Sequence, residues 1–560
     1  MSTVSRRTFV KGLAAGGALA GVGAWDWSAF AQAGAHRAPE VLRGTSFDLS
    51  IGEAPVNFTG SPRIGHTING TIPGPVLRWR EGDTVTMRVA NRLPDHDASI
   101  HWHGIILPAD MDGVPGLSFH GIRPGETYTY KFHVGQSGTY WYHSHSGFQE
   151  QRGVYGALII DPLGADPIAS DREHVILLSD WTDERPERIF AKLKKQSDYY
   201  NRNRRTVGDF FRDARRQGVG AAAAERSAWG VMRMNPTDLA DVSGATYTHL
   251  MNGVTPDGNW TGLFKTGERV RLRFINGSAM TYFDVRIPGL KMTVVAADGL
   301  PVHPVTVDEF RIATAETFDV IVEPTGQEAF TIFAQAMDRT AYAAGTLAVR
   351  DGLRAPVPAP DARALLTMAD MGHDAGAHAG HAMPASANAT HPASESNPLV
   401  DMQTTMAMSK LDDPGIGLRD NGRRVLTYSD LGSTFPDPDG REPGRTIELH
   451  LTGHMERFVW SFDGIKFSDA EPLRFTLGER LRIVLVNDTM MTHPIHLHGM
   501  WSDLENDAGD FMVRKHTIDM PPGTRRTYRV KADAVGRWAY HCHLLFHMEA
   551  GMFREVRVAE

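Results

Sequence analysis

Residues 535–552 read VGRWAYHCHLLFHMEAGM, and this stretch decides how the rest of the chain is interpreted. Cys542 is the only cysteine of the sequence and lies between His541 and His543. On an extended strand, these two histidines project from the face opposite to the cysteine. Copper that relays single electrons prefers a thiolate, two imidazoles and a weak axial thioether. The stretch therefore predicts two metal sites that are joined through a few covalent bonds.

His-x-His pairs are more frequent than chance allows. With 25 histidines in 560 residues, about one such pair is expected at random, whereas the chain has four. Each pair places both imidazoles on one face of a strand, and the intervening residues point the other way. Eight imidazoles are thus predicted to converge between the first and third domains, which is about the number of nitrogen ligands that three copper ions need. The pairs are His101/His103, His143/His145, His496/His498 and His541/His543.

A separate trigonal site is predicted from His493, Cys542 and His547, with Met552 as the weak axial ligand. The alternative to a metal ligand at Cys542 is an inert, buried cysteine that acts as a small hydrophobic residue. Zinc is the competing metal, but structural zinc sites favour several cysteines and catalytic zinc takes three protein ligands. One thiolate among many histidines fits copper better.

A unit that occurs three times indicates the architecture. Residues 82–91, 267–276 and 478–487 each combine a turn with an alternating strand, and their starts are 185 and 211 residues apart. This spacing allows one β-sandwich per copy. Residues 137–145 also parallel 535–543, with Ser144 in the place of Cys542. The middle unit, which ends at 330–336, has neither the paired histidines nor the cysteine and is interpreted as a spacer without metal.

The predicted fold is all-β, with three Greek-key β-sandwich domains at 40–163, 164–352 and 416–560. Residues 184–242 lack strand alternation and predict a surface helical insertion, with helices at 188–195 and 206–217. Residues 353–415 are rich in Ala, Pro, Gly, His and Met and predict a mobile linker that buries no core.

Composition and the first residues bear on location and partners. The formal net charge of −8 argues against nucleic acid as a partner, and a single cysteine excludes an internal disulfide framework. Residues 1–33 are typical of a twin-arginine export signal, with Arg6 and Arg7, a short apolar run and an A-x-A cleavage motif at 31–33. We expect a periplasmic protein without stable membrane insertion.

The segments 101–104, 140–145, 493–499 and 541–552 together resemble the motifs of the multicopper oxidases. The similarity covers almost the whole chain after the signal. Residues 196–200 and 232–241 of the insertion are most similar to the copper-resistance subfamily. The resemblance implies three cupredoxin-like domains, four copper ions, and electrons that pass from a surface donor through Cys542 to a cluster that reduces O2 to two waters.

The resemblance also implies a role for each ligand. His493, Cys542, His547 and Met552 match the type 1 copper ligands, and His101 and His496 match the type 2 ligands. His103, His143 and His543 match one type 3 copper, and His145, His498 and His541 match the other.

Proton delivery is less well defined by the sequence. Water formation consumes protons, so a carboxylate is expected near the cluster. Asp112 matches an acidic residue that family members use there, but it is equally typical of a turn aspartate. Where some members carry an acid after the histidine that matches His547, this chain has Met548, followed by Glu549.

The linker offers soft ligands of its own. Thioethers select Cu(I), so residues 368–408 are interpreted as a flexible segment that collects additional copper, the alternative being a linker that only stays soluble. Its candidate ligands are Met368, Met371, His373, His378, His381, Met383, His391, Met402, Met406 and Met408.

The leading hypothesis is an oxidase of Cu(I) that serves copper resistance. A laccase-like oxidase of phenols or other metal ions, and a copper-sequestering protein without turnover, remain alternatives. The predicted partners are O2, a one-electron donor such as Cu(I) or a phenol, and periplasmic copper-handling proteins.

Overall fold

The computed structural model describes residues 39–372 and 387–560, which form three β-sandwiches in chain order. The predicted export signal (1–33) and residues 373–386 lie outside the described residues. Among the helices that are described, none combines the length and the apolar character needed to span a membrane.

The first sandwich has a five-stranded sheet, ordered β1-β4-β9-β8-β6, and a four-stranded sheet, ordered β3-β2-β5-β7. Its strands are β1 (Val41–Arg43), β2 (Ser46–Val56), β3 (Arg63–Ile68), β4 (Val76–Arg80), β5 (Thr84–Asn91), β6 (His101–His103), β7 (Thr127–His133), β8 (Gly138–His143) and β9 (Tyr155–Asp161).

The second sandwich has sheets ordered β11-β10-β13-β18-β15-β16 and β12-β20-β19-β14-β17. Its strands are β10 (Arg172–Thr182), β11 (Tyr247–Met251), β12 (Trp260–Leu263), β13 (Val270–Asn276), β14 (Phe283–Arg286), β15 (Met292–Ala297), β16 (Leu300–Val307), β17 (Glu309–Ile312), β18 (Thr317–Val322), β19 (Ala329–Ala336) and β20 (Tyr342–Ala348). Between β10 and β11 lie helices α1 (Pro186–Leu193), α2 (Val207–Gln217) and α3 (Val219–Val231).

A two-stranded hairpin of β21 (Ala387–Asn388) and β22 (Met406–Ala407) precedes the third sandwich, whose sheets are ordered β24-β23-β26-β31-β28-β29 and β25-β33-β32-β27-β30. Its elements are β23 (Arg445–His454), β24 (Val459–Phe462), β25 (Leu473–Thr476), β26 (Arg480–Asn487), β27 (His493–Leu497), β28 (Ser502–Glu505), β29 (Phe511–Lys515), β30 (Thr517–Met520), β31 (Arg525–Lys531), β32 (Gly536–Cys542), the short helix α4 (Leu545–Glu549) and β33 (Phe553–Ala559).

The three predicted repeats occupy equivalent places, as β5, β13 and β26. Each pairs with one parallel neighbour and one antiparallel neighbour inside its sheet. Each begins after a glycine with φ between +81° and +87°, a backbone conformation that glycine adopts without the steric cost of a Cβ atom. The repeat in the sequence is therefore a repeat of the same central strand.

A buried asparagine ends each of these strands and holds the loop that follows. The side chain of Asn487 donates to the carbonyls of Met491 and Met520 at 2.8 and 2.7 Å, and accepts from the backbone of Thr489. Asn91 and Asn276 make equivalent pairs of bonds. In the third sandwich, this clamp fixes the loop that leads into His493.

The helical insertion differs from the expectation of a surface decoration. The first helix is displaced by two residues from the prediction, and α3 was not predicted because its alanine-rich sequence has little periodicity. Ile189, Leu193 and Trp229 are buried in the common core, as is Leu239 after the last helix. Only α2, which has Asp209 as its one buried residue, lies on the surface as expected.

The described parts of the 353–415 segment also differ from the predicted mobile linker. Leu366, Met371, Ala407 and Leu411 are buried, and Met402 is nearly so. The average composition of the segment hides these few apolar side chains, which pack against the sandwiches. His373, His378, His381 and Met383 lie outside the described residues.

Candidate metal centre

Strand pairing brings the histidine pairs together. In the first sandwich, β6 and β8 are antiparallel neighbours that place His101 opposite His143. In the third, β27 and β32 place His496 opposite His541 and Ile495 opposite Cys542. Because side chains alternate between the faces of a strand, the histidines and the cysteine project to opposite sides.

On the cysteine side, three predicted ligands converge. The Cys542 Sγ lies 3.5 Å from His493 Nδ1 and 3.8 Å from His547 Nδ1, and the two Nδ1 atoms are 3.0 Å apart. All three residues are fully buried, as is Met552. The carbonyl of Met552 accepts a hydrogen bond from the backbone of Cys542 at 3.1 Å, which anchors the methionine beside the trio.

The far edges of both imidazoles are engaged elsewhere. His493 Nε2 donates to Thr489 Oγ1 at 2.7 Å, and His547 Nε2 donates to Asp241 Oδ2 at 2.6 Å. When Nε2 carries the only proton of each ring, the two Nδ1 lone pairs face each other across 3.0 Å. Such an arrangement is stabilised by a cation between the lone pairs, and it therefore fits a metal.

On the other side, the eight histidines of the four pairs form one cluster. His143 Nε2 and His543 Nε2 are 3.3 Å apart, and His498 Nε2 and His541 Nε2 are 3.0 Å apart. The donor atoms of His145, His498 and His541 lie within 4.8 Å of one another. The structure thus brings together all eight predicted residues, from the first and third sandwiches.

Most of the Nδ1 atoms are used to orient these rings. His101 and His541 donate to the carbonyls of Asp112 and Cys542 at 2.9 Å, and His496 donates to the carbonyl of His516 at 2.5 Å. The buried Nε2 atoms of His101, His145 and His496 have no hydrogen-bond partner. Buried polar atoms without partners are rare, so these nitrogens are arranged to bind something else.

Electrostatics favour the neutral imidazoles that metal binding requires. Burial, and then the neighbouring imidazoles, lower the pKa of His145, His498 and His496 well below the usual value. For His541, burial lowers the pKa to about 4. Burial raises the pKa of the Cys542 thiol well above its usual value, so only a bound cation would favour the thiolate.

Two carboxylates contact the cluster. Asp112 is buried and its Oδ2 accepts from His498 Nδ1 at 2.9 Å, while Oδ1 lies 3.2 Å from His101 Nδ1. Glu150, which sequence reasoning missed, places Oε2 2.6 Å from His143 Nδ1. Burial and the nearby Asp180 raise the pKa of Glu150 well above its usual value, which favours the protonated form of this side chain at the edge of the cluster.

Two further residues were not predicted. His516 Nδ1 lies 3.2 Å from His103 Nε2, and the ring is buried beside the cluster. Asp241 belongs to the segment after α3 and is fully buried against His547. His516 carried no sequence signal, and Asp241 was noted only as the end of the 232–241 stretch, because a single histidine or aspartate far along the chain shows nothing about its spatial neighbour. Glu549, in contrast, is exposed.

Comparison with known proteins places this geometry in a class. Three family profiles described as multicopper oxidase match residues 50–164, 172–351 and 440–560, which together cover most of the chain. The chain belongs to the multicopper oxidase family and is an oxidoreductase whose cofactor is copper.

Within this family, the chain is similar to copper resistance proteins. It is 65% identical to a copper resistance protein A homolog of Pseudomonas syringae pv. tomato, and 64% identical to copper resistance protein A of Escherichia coli, with 99% of both chains covered in each case. Among solved structures, it is similar to Fet3p, a multicopper oxidase that functions in iron import, with a TM-score of 0.66 at 20% identity over 93% of this chain and 90% of that one. The fold is therefore the cupredoxin-like architecture that the sequence predicted.

Proposed function

We propose that this protein is a periplasmic oxidase that couples four one-electron oxidations of Cu(I) to the reduction of O2 to two waters, in the service of copper resistance. One observation carries the oxidase part of the proposal. The Cys542 strand supplies a ligand trio on one face and two cluster histidines on the other, so two metal sites share one short stretch of backbone. The assignment of Cu(I) rests on similarity to copper resistance proteins.

The donor set suits four copper ions. One would be held by His493, Cys542, His547 and the axial Met552, and three would be held by the eight-histidine cluster, with His101 and His496 on the type 2 ion. The remaining six histidines would divide between the type 3 ions as His103, His143 and His543, and as His145, His498 and His541. Copper bound in these places supplies one-electron transfer and O2 reduction.

The protein's own groups position the ligands and manage protons. Burial of every predicted ligand but the half-buried His145 separates the donor atoms from bulk water. Asp112 holds His498 in one tautomer through Nδ1. Glu150 lies beside His143 with a raised pKa, and with Asp112 it is a candidate source of the protons that water formation consumes.

Comparing the rates of Cu(I) and phenol oxidation by the copper-loaded protein tests the substrate. A marked preference for Cu(I) is expected, whereas a preference for phenols would favour the laccase-like alternative. The loaded protein should carry about four coppers and show the intense blue absorption of thiolate-bound copper. Zinc without colour would overturn the proposal.

A Cys542→Ser variant separates catalysis from sequestration. We expect it to lose the blue absorption and to leave cells as copper-sensitive as those without the protein. Copper resistance that survives this change would support a sequestering protein without turnover. Replacing Arg6 and Arg7 by lysine tests the export route, because the variant should accumulate with its signal uncleaved.

Additional copper on the His/Met-rich segment remains part of the proposal, but in a narrower form. Because Met371 and Met402 are packed in the core, collection of Cu(I) is assigned to His373, His378, His381 and Met383. Replacing these four residues together should lower Cu(I) oxidation more than oxidation of a bulky phenol. Equal loss of both activities would refute this role. The periplasmic copper-handling proteins that we expect as partners would deliver copper to this segment.

A further inference from the structure

A second group of buried imidazoles and carboxylates lies in the third sandwich and shares no residue with the centre described above. His391 and Glu395 come from the segment between β21 and β22, His450 lies on β23, and Asp488 directly follows β26. The side chains of Glu395, Asp488 and His450 are at most 2% exposed, and that of His391 is 20% exposed. Two imidazoles and two carboxylates are thus enclosed together.

The four donor atoms already have nearly the spacing of a metal site. His391 Nδ1 lies 2.8 Å from Glu395 Oε2 and 3.6 Å from Asp488 Oδ2. His450 Nδ1 lies 2.7 Å from Asp488 Oδ2 and 3.4 Å from Glu395 Oε1. Ligands bound at about 2.0–2.2 Å in a tetrahedron are about 3.3–3.6 Å from one another. Small outward movements of the two closest pairs would therefore admit an ion.

Outer contacts aim the donors inward, as the surroundings of metal ligands do. His391 Nε2 donates to the Thr404 carbonyl at 2.9 Å, which directs Nδ1 towards the carboxylates, where it is hydrogen-bonded to Glu395 Oε2. The backbone of Thr404 in turn donates to Asp488 Oδ1 at 2.9 Å. Gln403 Nε2 donates to Glu395 Oε2 at 2.9 Å. These hydrogen bonds fix the orientation of the His391 ring and of the Asp488 and Glu395 carboxylates.

The buried Glu395 Oε1 points to a missing partner, because it makes no hydrogen bond although its side chain is fully enclosed. An unpartnered carboxylate oxygen in the interior is costly. Burial lowers the pKa of His450, but the hydrogen bond and charge of Asp488, together with Glu395, offset this and raise the pKa to about 9. Without a metal, a proton on His450 balances part of the negative charge, and a divalent cation would displace it.

We propose that His391, Glu395, His450 and Asp488 form a further site for a divalent transition-metal ion, with Cu(II) preferred to Zn(II). Two imidazoles and two carboxylates suit both ions, two negative charges balance a divalent ion, and Cu(II) binds such ligands more tightly. The metal site stands on its own geometry. That Cu(II) is also the product of the proposed oxidation rests on the proposed function.

Zn(II) is the probe. The full-length protein is first loaded with copper and then treated with a chelator too weak to remove the buried catalytic copper, so that the further site is empty while the catalytic ligands stay occupied. Equilibrium dialysis against Zn(II) in a weakly chelating buffer should give one more bound Zn(II) per chain in the wild type than in Glu395→Gln. Loss of a ligand should weaken this site by more than about 100-fold, since loss of an outer contact alone weakens metal sites by 10- to 100-fold. Cu(II) added afterwards should displace the bound Zn(II).

Controls make the test decisive. His391→Gln removes a ligand from a partly exposed position and should lose the same Zn(II) even if Glu395→Gln does not fold. His454→Gln is the matched control, because His454 lies on the same strand as His450 and faces a single carboxylate, Asp401, at 3.3 Å. It should keep the wild-type count. Equal Zn(II) binding by the wild type and His391→Gln would overturn the proposal and leave an ion-pair network.

The Cys542→Ser variant separates this inference from the proposed function. The variant should bind the additional Zn(II) as the wild type does, although it is expected to lose oxidase activity. Conversely, an active wild type without the additional Zn(II) refutes the site and leaves the oxidase proposal intact.

Discussion

Asp241→Asn should raise the reduction potential of a copper ion bound by the proposed ligands His493, Cys542 and His547. The Asp241 carboxylate accepts from His547 Nε2 at 2.6 Å, and both side chains are fully buried. A carboxylate behind a ligand histidine makes the imidazole a stronger donor and favours the more highly charged Cu(II) state. Replacing it with a neutral amide removes that preference.

The size of the shift follows from the hydrogen bond. A bond to a charged partner contributes about 1.5–3 kcal/mol and a neutral one about 1 kcal/mol, so roughly 0.5–2 kcal/mol is lost. For a one-electron couple, a tenfold change in equilibrium, or about 1.4 kcal/mol, corresponds to 59 mV. We therefore expect the potential to rise by about 20–85 mV.

A redox titration that follows the blue absorption measures this shift directly. Asp238→Asn is the matched control, because Asp238 is buried three residues earlier in the same segment. Burial and the Asp241 carboxylate raise the pKa of Asp238 well above its usual value, and Asp238 makes no hydrogen bond to a ligand histidine, so its amide should leave the potential unchanged. An unchanged or lower potential in Asp241→Asn, or equal shifts in both variants, would refute the reasoning.

Three further predictions concern the cluster and the third sandwich. Glu150→Gln should keep the copper content but slow O2 reduction by roughly 100-fold, the usual contribution of a positioned acid. Turnover assays check this against a control variant at an exposed residue, Glu549→Gln. Equal rates in the two variants would contradict the prediction. Gly113→Ala should destabilise the protein by more than about 2 kcal/mol in urea unfolding, because φ is +77° and the new Cβ would lie 1.8 Å from the Ile100 carbonyl oxygen. Gly116→Ala, at a similar φ but in open space, should lower the free energy of unfolding clearly less. With chelator present, the wild type should be more stable than His450→Gln below pH 6.5 and should lose that advantage as the pH rises past about 9, because the pKa of His450 is raised in the folded protein. A constant difference in stability across this pH range would argue against a charged His450.

The sequence could predict that the candidate ligands lie together, because their relations are local. His541, Cys542 and His543 are neighbours, and the alternation of a strand is enough to assign them to opposite faces. The central strand of each sandwich was also predictable, because glycine, alternation and a final asparagine recur in all three copies. What made these features visible is a short sequence distance between residues that act together.

The remaining parts of the site depend on distant contacts. His516 and His103 are 413 residues apart, and Asp241 is 306 residues from His547. No local pattern marks such partners. The composition of the 353–415 segment was misleading for a different reason, because a few buried side chains such as Met371 suffice to fix a segment that is polar on average. Asp112, equally typical of a turn and of a cluster acid, lies 2.9 Å from His498, and its role in proton delivery stays a prediction.

The register that sets Cys542 against Ile495 has a consequence for biosynthesis. The cluster joins His143 to His543, 400 residues further along the chain, and β32 is almost the last strand to be synthesised. Bringing together residues so far apart is slow and must wait for the complete polypeptide. The proposed metal cluster therefore cannot be loaded while the chain is still being synthesised. Metal insertion becomes a quality-control step, since only a molecule whose first and last sandwiches have docked can retain it.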